Sequence, residues 1–387
     1  MPWRLASTCL LAASLGGTPL SAAPLPRPSS PGVRWQLALP GWGEPAADDS
    51  AAYFLTRTHE VVAIDEATGT IHWRTATGGV GEVPSGTQVR LTASRVFVGD
   101  GGIVAFDRAS GRRAWRFDAP DGDDAGVFLG PADADTVLAG SPSGQVYAVD
   151  AVSGALRWRH DVAGGRRRVV FPPVRAGALI VASFTGFDGP LSGGLVALDR
   201  IGRRRWIHRF GDGAAGAAGP PIVWDGTVVV ARTDGRIEAI SSATGRRLWG
   251  LAPERPSPPG EPGRDIRALA SQAGVLVVTS LTGPVRAFDI RGRRPRWTYA
   301  GGPVDAVALR VRVFGDRLYV PYSDGSLIAL DLHTGRERWR ADRDRDSLDW
   351  PPAATAGSIF AAGAEALWAF DPHPFEPRRP ELRTDKD

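Results

Sequence analysis

The chain has 387 residues, of which 43% are apolar and 23% charged, a composition that excludes wholesale disorder. Its 48 Gly and 32 Pro break it into short segments, which argues against long helices and predicts many short strands. A formal charge of +4, from 46 basic and 42 acidic residues, is too small for a nucleic-acid-binding face. The basic residues are all Arg except Lys386, and Asn is absent, so the skew reads as compositional bias and names no partner. A single cysteine, Cys9, allows neither an internal disulfide nor a zinc site built on several Cys. The six His are scattered and nowhere sit at metal-ligand spacing.

Residues 1–23 read as a secretory signal peptide. Arg4 supplies the positive start, Leu5 to Leu20 an apolar stretch diluted by Ser, Thr and Gly, and Ser21-Ala22-Ala23 the small residues for cleavage. The run is too short and broken for a membrane span, and no later segment has the length for one. Cys9 precedes most of the apolar region and follows Ser7-Thr8, so lipid attachment there is not expected. Residues 24–32 form a Pro-rich linker.

From residue 33 onward the chain repeats itself. Seven segments end a strand with Ala-x-Asp or a near variant, turn through Gly, and reach a Trp. They are AIDEATGTIHW (63–73), AFDRASGRRAW (105–115), AVDAVSGALRW (148–158), ALDRIGRRRW (197–206), AISSATGRRLW (239–249), AFDIRGRRPRW (287–297) and ALDLHTGRERW (329–339). The anchors are Asp65 with Trp73, Asp107 with Trp115, Asp150 with Trp158, Asp199 with Trp206, Asp289 with Trp297, and Asp331 with Trp339; Ser241 stands for Asp before Trp249. An eighth copy is split, with Asp371 at one end of the chain and Trp35 at the other. A period near 42 residues with Val- and Ile-rich strands predicts one four-stranded propeller blade per repeat.

Each position has a physical task. The Asp accepts hydrogen bonds from backbone N–H groups of the turn, and Thr or Ser before Gly leaves the Gly in the left-handed region. The Trp on the next strand packs against the neighbouring blade. A buried aromatic removes ~150–250 Å² from water, an upper bound of about 4–6 kcal/mol each. Tips such as Ser143-Gly144 and Asp324-Gly325 supply the positive φ that tight hairpins need.

The split copy predicts ring closure. Residues 358–362 and 367–370 should supply strands of the last blade, and the Trp35 segment its outer strand, so that no sheet edge is left between the chain ends. The expectation is therefore an all-β, eight-bladed β-propeller of four-stranded antiparallel blades over residues 33–372, followed by a disordered tail, 373–387.

These residues resemble the quinoprotein-type, PQQ-like propeller repeat, A-x-D-x-x-T-G-x-x-x-W, over almost the entire chain after residue 33. Two branches share it. In quinone-dependent dehydrogenases the resemblance would imply pyrroloquinoline quinone over a Ca²⁺ held by Glu, Asn and Asp. Here no Asn exists, and the only Cys lies in the leader. The chain is more similar to the BamB family of outer-membrane β-barrel assembly factors in length, leader, short loops and terminal closure. That resemblance implies a non-catalytic periplasmic scaffold, monomeric within a complex and without cofactor. Its partner would be the periplasmic domains of a BamA-type subunit, bound through inter-blade loops. Alternatives are a PQQ-dependent dehydrogenase or degenerate relative, and a PQQ-like repeat protein with another periplasmic partner.

The corresponding loops lie near residues 211–220 and 253–269. Candidate partner-binding residues are Arg166, Arg167 and Arg168 before one blade, and Asp265 and Arg267 before another. Asp342, Asp344, Asp346 and Asp349 crowd a further inter-blade segment without the Gly-centred pattern of a Ca²⁺ loop. No catalytic, cofactor or metal residues are assigned.

Overall fold

The computed structural model describes residues 32–374, except 80, 82, 84–86, 121–125, 163–167, 212–214, 253–265, 281–282, 292, 304–305, 309 and 343–345. All regular structure in these residues is β, in eight separate antiparallel sheets. Seven have four strands; the blade at 168–209 has five, because its innermost strand is broken into Arg168–Val170 and Val174–Ala176, both paired with Leu179–Gly186.

Blade 1 spans residues 41–76, blade 2 89–117, blade 3 128–161, blade 4 168–209, blade 5 222–251, blade 6 266–299 and blade 7 312–341. Blade 8 is composite. Its three inner strands are Ala353–Ala354, Ile359–Ala362 and Leu367–Phe370, and its outermost strand is Val33–Leu37 from the other end of the chain. The register sets Trp35 opposite Ala369 and Leu37 opposite Leu367. The innermost strands touch in sequence around the ring, from blade 1 to blade 8 and back to blade 1. The molecule is thus an eight-bladed β-propeller closed by its own termini, with no open edge facing the seam.

The second and third strands of each blade carry almost continuous buried apolar runs, such as Val96, Phe97, Val98 and Ile103 to Phe106 in blade 2. They pack between two neighbouring sheets, so both of their faces are covered. Each apolar cluster accordingly joins consecutive blades; one unites Trp35, Leu37 and Phe360 of blade 8 with Phe54 and Ile64 of blade 1.

The repeat turns form as their chemistry requires. Asp65 Oδ1 accepts from the N–H of Ala67 and Thr68 and from the Thr68 hydroxyl at 2.8–3.1 Å. Asp107, Asp150, Asp199 and Asp331 each accept from turn N–H groups likewise, and Asp371 accepts from the N–H of His373. Hydrogen bonds from Thr68 lower the Asp65 carboxyl, and Ser110 does the same at Asp107. At Asp331 burial works to raise the pKa, but Arg338 and Thr334 outweigh it and hold it at about 2.

The tryptophans join blade to blade more polarly than the sequence suggests. Only Trp35 and Trp339 of the eight are buried; Trp73, Trp115, Trp158, Trp206, Trp249 and Trp297 are half-buried. They lie on outermost strands at the perimeter, where part of each ring meets solvent, so the full-burial figure overstates their apolar contribution. Among the described residues all of the eight except Trp249 gain a hydrogen bond instead. Trp73 Nε1–H donates to the carbonyl of Arg108 in the next blade's turn at 3.0 Å. Trp35 to Glu66, Trp115 to Ala151, Trp158 to Arg200, Trp206 to Ser242, Trp297 to Leu332 and Trp339 to Pro372 repeat the bond at 2.8–3.2 Å.

His373, the first residue of the expected tail, is held by blade 7. His373 Nδ1 lies 2.6 Å from Arg317 Nη2, and Arg317 also donates to the Pro372 carbonyl. Pro372 and His373 are therefore attached to blade 7, while 1–31 and 375–387 lie outside the described residues.

Candidate functional site

In an up-and-down blade the connection from outermost strand to the next innermost strand must leave from one rim, together with the hairpin between second and third strands. The Asp-Gly repeat turns occupy the opposite rim. The described parts of the connector rim are fixed by polar networks. At the blade 1–2 connection, His59 sits in a hairpin tip with φ +57°. Its Nδ1 is 2.8 Å from Asp100, its Nε2 is 2.9 Å from the Gly81 carbonyl, and Thr77 also bonds Asp100. A carbonyl and a carboxylate on the two ring nitrogens favour the imidazolium. Burial opposes it, but the Gly81 and Asp100 contacts prevail and raise the His59 pKa.

At the blade 4–5 connection, Arg232 is fully buried. It bonds Glu238 at 2.6 Å and Asp234 at 2.7 Å, and stands 5.0 Å over the Phe210 ring. His208 Nε2 reaches Glu238 at 3.0 Å. Burial pushes the Glu238 carboxyl up, and His208 and Arg232 pull it below its ordinary value. A fully buried Arg is tolerable because its donors and charge are met.

Arg168 differs from the loop residue expected. It opens the first strand of blade 4, pairs opposite Gly186, is buried, and places its guanidinium 5.2 Å from the Phe184 ring. Strand pairing draws it into the blade, where its side chain is buried. Arg166, Arg167 and Asp265 lie outside the described residues, and Arg267 falls in the strand Ile266–Gln272 that opens blade 6. Asp346, one of the crowded acids, is a structural acceptor: it takes the Trp368 indole N–H at 2.6 Å and the Glu365 N–H at 2.8 Å. Among the described residues no group of three His, Cys, Asp or Glu could hold a metal ion.

The second concave feature is the central channel, a cavity of 1030 Å³ lined by the innermost strands of all eight blades. Its walls are largely apolar, with Phe128, Phe171 and Ile222 among them, and Glu44 is its acidic lining residue. Glu44 lies 3.4 Å from Arg90 of blade 2 and also pairs with Arg312 of blade 7, 268 residues away. Burial would raise the Glu44 carboxyl, but Arg90, Arg312 and Arg310 overcome it and hold it at about 2. Nothing in the repeat pattern singles out Glu44, because it lies on an irregular innermost strand before the first full motif.

An eight-bladed ring of Asp-turn-Trp repeats, closed by its termini, defines a propeller of the PQQ-like repeat class. The chain belongs to the family described as outer membrane protein assembly factor BamB, whose sequence profile matches residues 27–186, 169–259 and 255–373. It is 26% identical over 371 residues to the protein of that name from Bordetella pertussis, covering 89% of this chain and 88% of that one. The structure of BamB from Moraxella catarrhalis superposes with a TM-score of 0.66 at 19% identity, over 90% of this chain and 98% of that one. The quinohemoprotein alcohol dehydrogenase of Comamonas testosteroni gives the same TM-score at 14% identity, over 90% and 77%. These two structural likenesses establish the fold. Among the described residues no helix is long and apolar enough to cross a membrane.

Proposed function

We propose that the protein is a non-catalytic scaffold of the periplasm that takes part in outer-membrane β-barrel assembly, as the BamB family name indicates. The observation carrying this reading is the family match across residues 27–373, which takes in all eight blades. Residues 1–23 act as an export signal, and Cys9 is not a lipid-attachment site. The partner is a protein, and its best candidate is the periplasmic portion of a BamA-type subunit.

The connector rim is the docking face. It gathers the segments least constrained by the repeat, on a ring whose geometry is fixed by closure, and rigid presentation lowers the entropy lost on association. Arg166, Arg167, Asp265 and Arg267 are the candidate partner contacts, and charge at a docking face governs encounter rate and salt sensitivity. A dehydrogenase reading has less support, since the chain has no Asn, and no Cys beyond residue 9.

The test is co-purification with the periplasmic domains of the barrel-assembly subunit from the same organism. Capture at low salt that weakens when Asp265→Arg and Arg267→Glu are introduced supports the assignment. Capture unchanged by both discards these positions. No capture by the intact protein points to a different periplasmic partner. Dye-linked alcohol or sugar oxidation with added quinone and Ca²⁺ would overturn the non-catalytic reading.

A further inference from the structure

The repeat segments, read from anchor to Trp, differ in charge around the ring. Those of blades 4, 5 and 6 (197–206, 239–249 and 287–297) hold ten arginines against two acids, Asp199 and Asp289. That is a surplus of eight in three adjacent segments, on a chain whose formal charge is +4. The segments on either side are balanced: blade 3 has Arg157 with Asp150, and blade 7 has Arg336 and Arg338 against Asp331 and Glu337. A uniform compositional bias would not stop at blade boundaries. Of the three segments only Gly292 lies outside the described residues, and it bears no charge.

All ten arginines are exposed. Three of them meet carboxylates: Arg291 pairs with Asp225 at 3.4 Å, Arg296 with Asp289 at 2.9 Å, and Arg247 reaches Glu238 at 4.0 Å. Asp225 adds one acid from the hairpin joining the first two strands of blade 5, and still leaves seven positive charges in excess. Glu238 is already shared by Arg232 and His208. The surplus follows from what three blades contain and needs no single arginine to be unpaired.

Apolar side chains stand in the same arc. Ile201, between Arg200 and Arg203 in the blade 4 turn, is 60% exposed, and Leu248, next to Arg247, is 53% exposed. Val152, in the adjoining blade 3 turn, is 67% exposed. Trp158 joins these two turns: its half-buried ring lies against Gly202, and its N–H donates to the Arg200 carbonyl at 2.8 Å.

We infer that the turn rim of blades 4 to 6 docks on the surface of a phospholipid bilayer carrying anionic headgroups. Arginine stems lie along apolar surface while their guanidinium groups meet phosphate. Val152, Trp158 and Ile201 give the turn tips the aliphatic and indole character that enters the boundary between headgroups and acyl chains, a contact that an acidic polypeptide would not need. The connector rim lies on the opposite side and stays open to a protein partner. The inference does not depend on which partner that is.

Co-sedimentation with vesicles tests it, using the protein in the form the cell accumulates. Vesicles of equimolar phosphatidylglycerol and phosphatidylcholine should bind it saturably, and more weakly as salt is raised. Vesicles of phosphatidylcholine alone should not bind it. Arg205→Gln and Arg294→Gln should each weaken binding about fivefold, the effect of one basic residue near an anionic bilayer. Ile201→Ser should weaken it about threefold with the salt dependence unchanged. Arg112→Gln, which alters an exposed arginine of blade 2, should leave it unmoved. No binding to the anionic vesicles overturns the inference, as does equal binding to both kinds. Equal losses from Arg112→Gln and Arg205→Gln overturn the assignment to this arc. Undiminished binding by Ile201→Ser refutes the apolar contact that distinguishes a bilayer. Capture of poly-glutamate without vesicle binding overturns the bilayer and identifies an acidic polypeptide in its place.

Discussion

Trp35 and Gly69 lie face to face across the seam where the two ends of the chain meet: a Cβ on Gly69 would sit 2.8 Å from the indole Cγ. Gly69 has φ +75° and belongs to blade 1, whereas Trp35 is the outermost strand of blade 8. The same juxtaposition recurs as Gly111 on Trp73, Gly154 on Trp115, Gly202 on Trp158, Gly245 on Trp206 and Gly335 on Trp297. The repeat glycine therefore meets two demands together, a left-handed turn and a flat seat for the preceding blade's indole.

Replacing one of these glycines should cost more than replacing a turn glycine without a neighbour. In Gly111→Ala the new methyl would lie 2.4 Å from the Trp73 ring, at φ +69°. Gly177, at φ +62°, has nothing within 4 Å. Denaturant titration should show Gly177→Ala losing about 1 kcal/mol from backbone strain alone. Gly111→Ala should lose roughly 2–4 kcal/mol, because overpacking adds to the strain. Equal losses would refute the double role.

Blade 6 breaks the pattern and should be improvable. Its repeat glycine comes one place early, so Arg293 takes the left-handed conformation, φ +55°, with its N–H on the Asp289 carbonyl at 2.7 Å. Among the described residues Trp249 makes no indole bond like those of the other seven. Arg293→Gly should stabilise the protein by about 0.5–1 kcal/mol, the left-handed penalty less the added chain entropy. A raised denaturation midpoint with unchanged slope is the expected readout.

Terminal closure should dominate stability. Trp35 is buried against Phe360, at 5.8 Å between ring centroids. Trp35→Ala should cost ~3–5 kcal/mol, and Trp158→Ala less, since its ring is half in solvent. Ending the chain after Gly357 removes Ile359–Ala362 and Leu367–Phe370 and should unfold the ring. Ending it after Phe375 keeps the Trp339 bond to Pro372 and should leave the melting temperature within a degree or two.

Stability should also depend on pH through His59. Its pKa in the folded protein is raised above the ordinary 6.5 by Gly81 and Asp100. The contribution is complete below pH 6.5 and disappears as pH rises through the higher folded value. The denaturation midpoint of the wild type should therefore fall above neutrality, and His59→Gln should flatten that fall. A difference between the two proteins that stays constant from pH 5 to pH 9 would exclude this coupling.

What the sequence determined by itself was the blade: its turn chemistry, its period, and the assignment of Trp35 to the last blade. Those signals are local, because an Asp that caps a turn and a Gly that permits positive φ act within a few residues of each other. Even closure was legible, since a motif missing from one end of the chain was present at the other. Tertiary structure alone decided how the blades face one another. Glu44, Arg90, Arg310 and Arg312 are scattered over 268 residues and meet only because eight innermost strands surround one axis. Arg168, read as rim charge, is drawn into blade 4 by pairing with Gly186. The tryptophans lost burial and gained hydrogen bonds because outermost strands end at the perimeter, where solvent covers one part of each ring and the next blade's carbonyl the other. Strand pattern depends on neighbours along the chain; charge convergence and burial depend on neighbours in space, which a period of 42 residues does not encode.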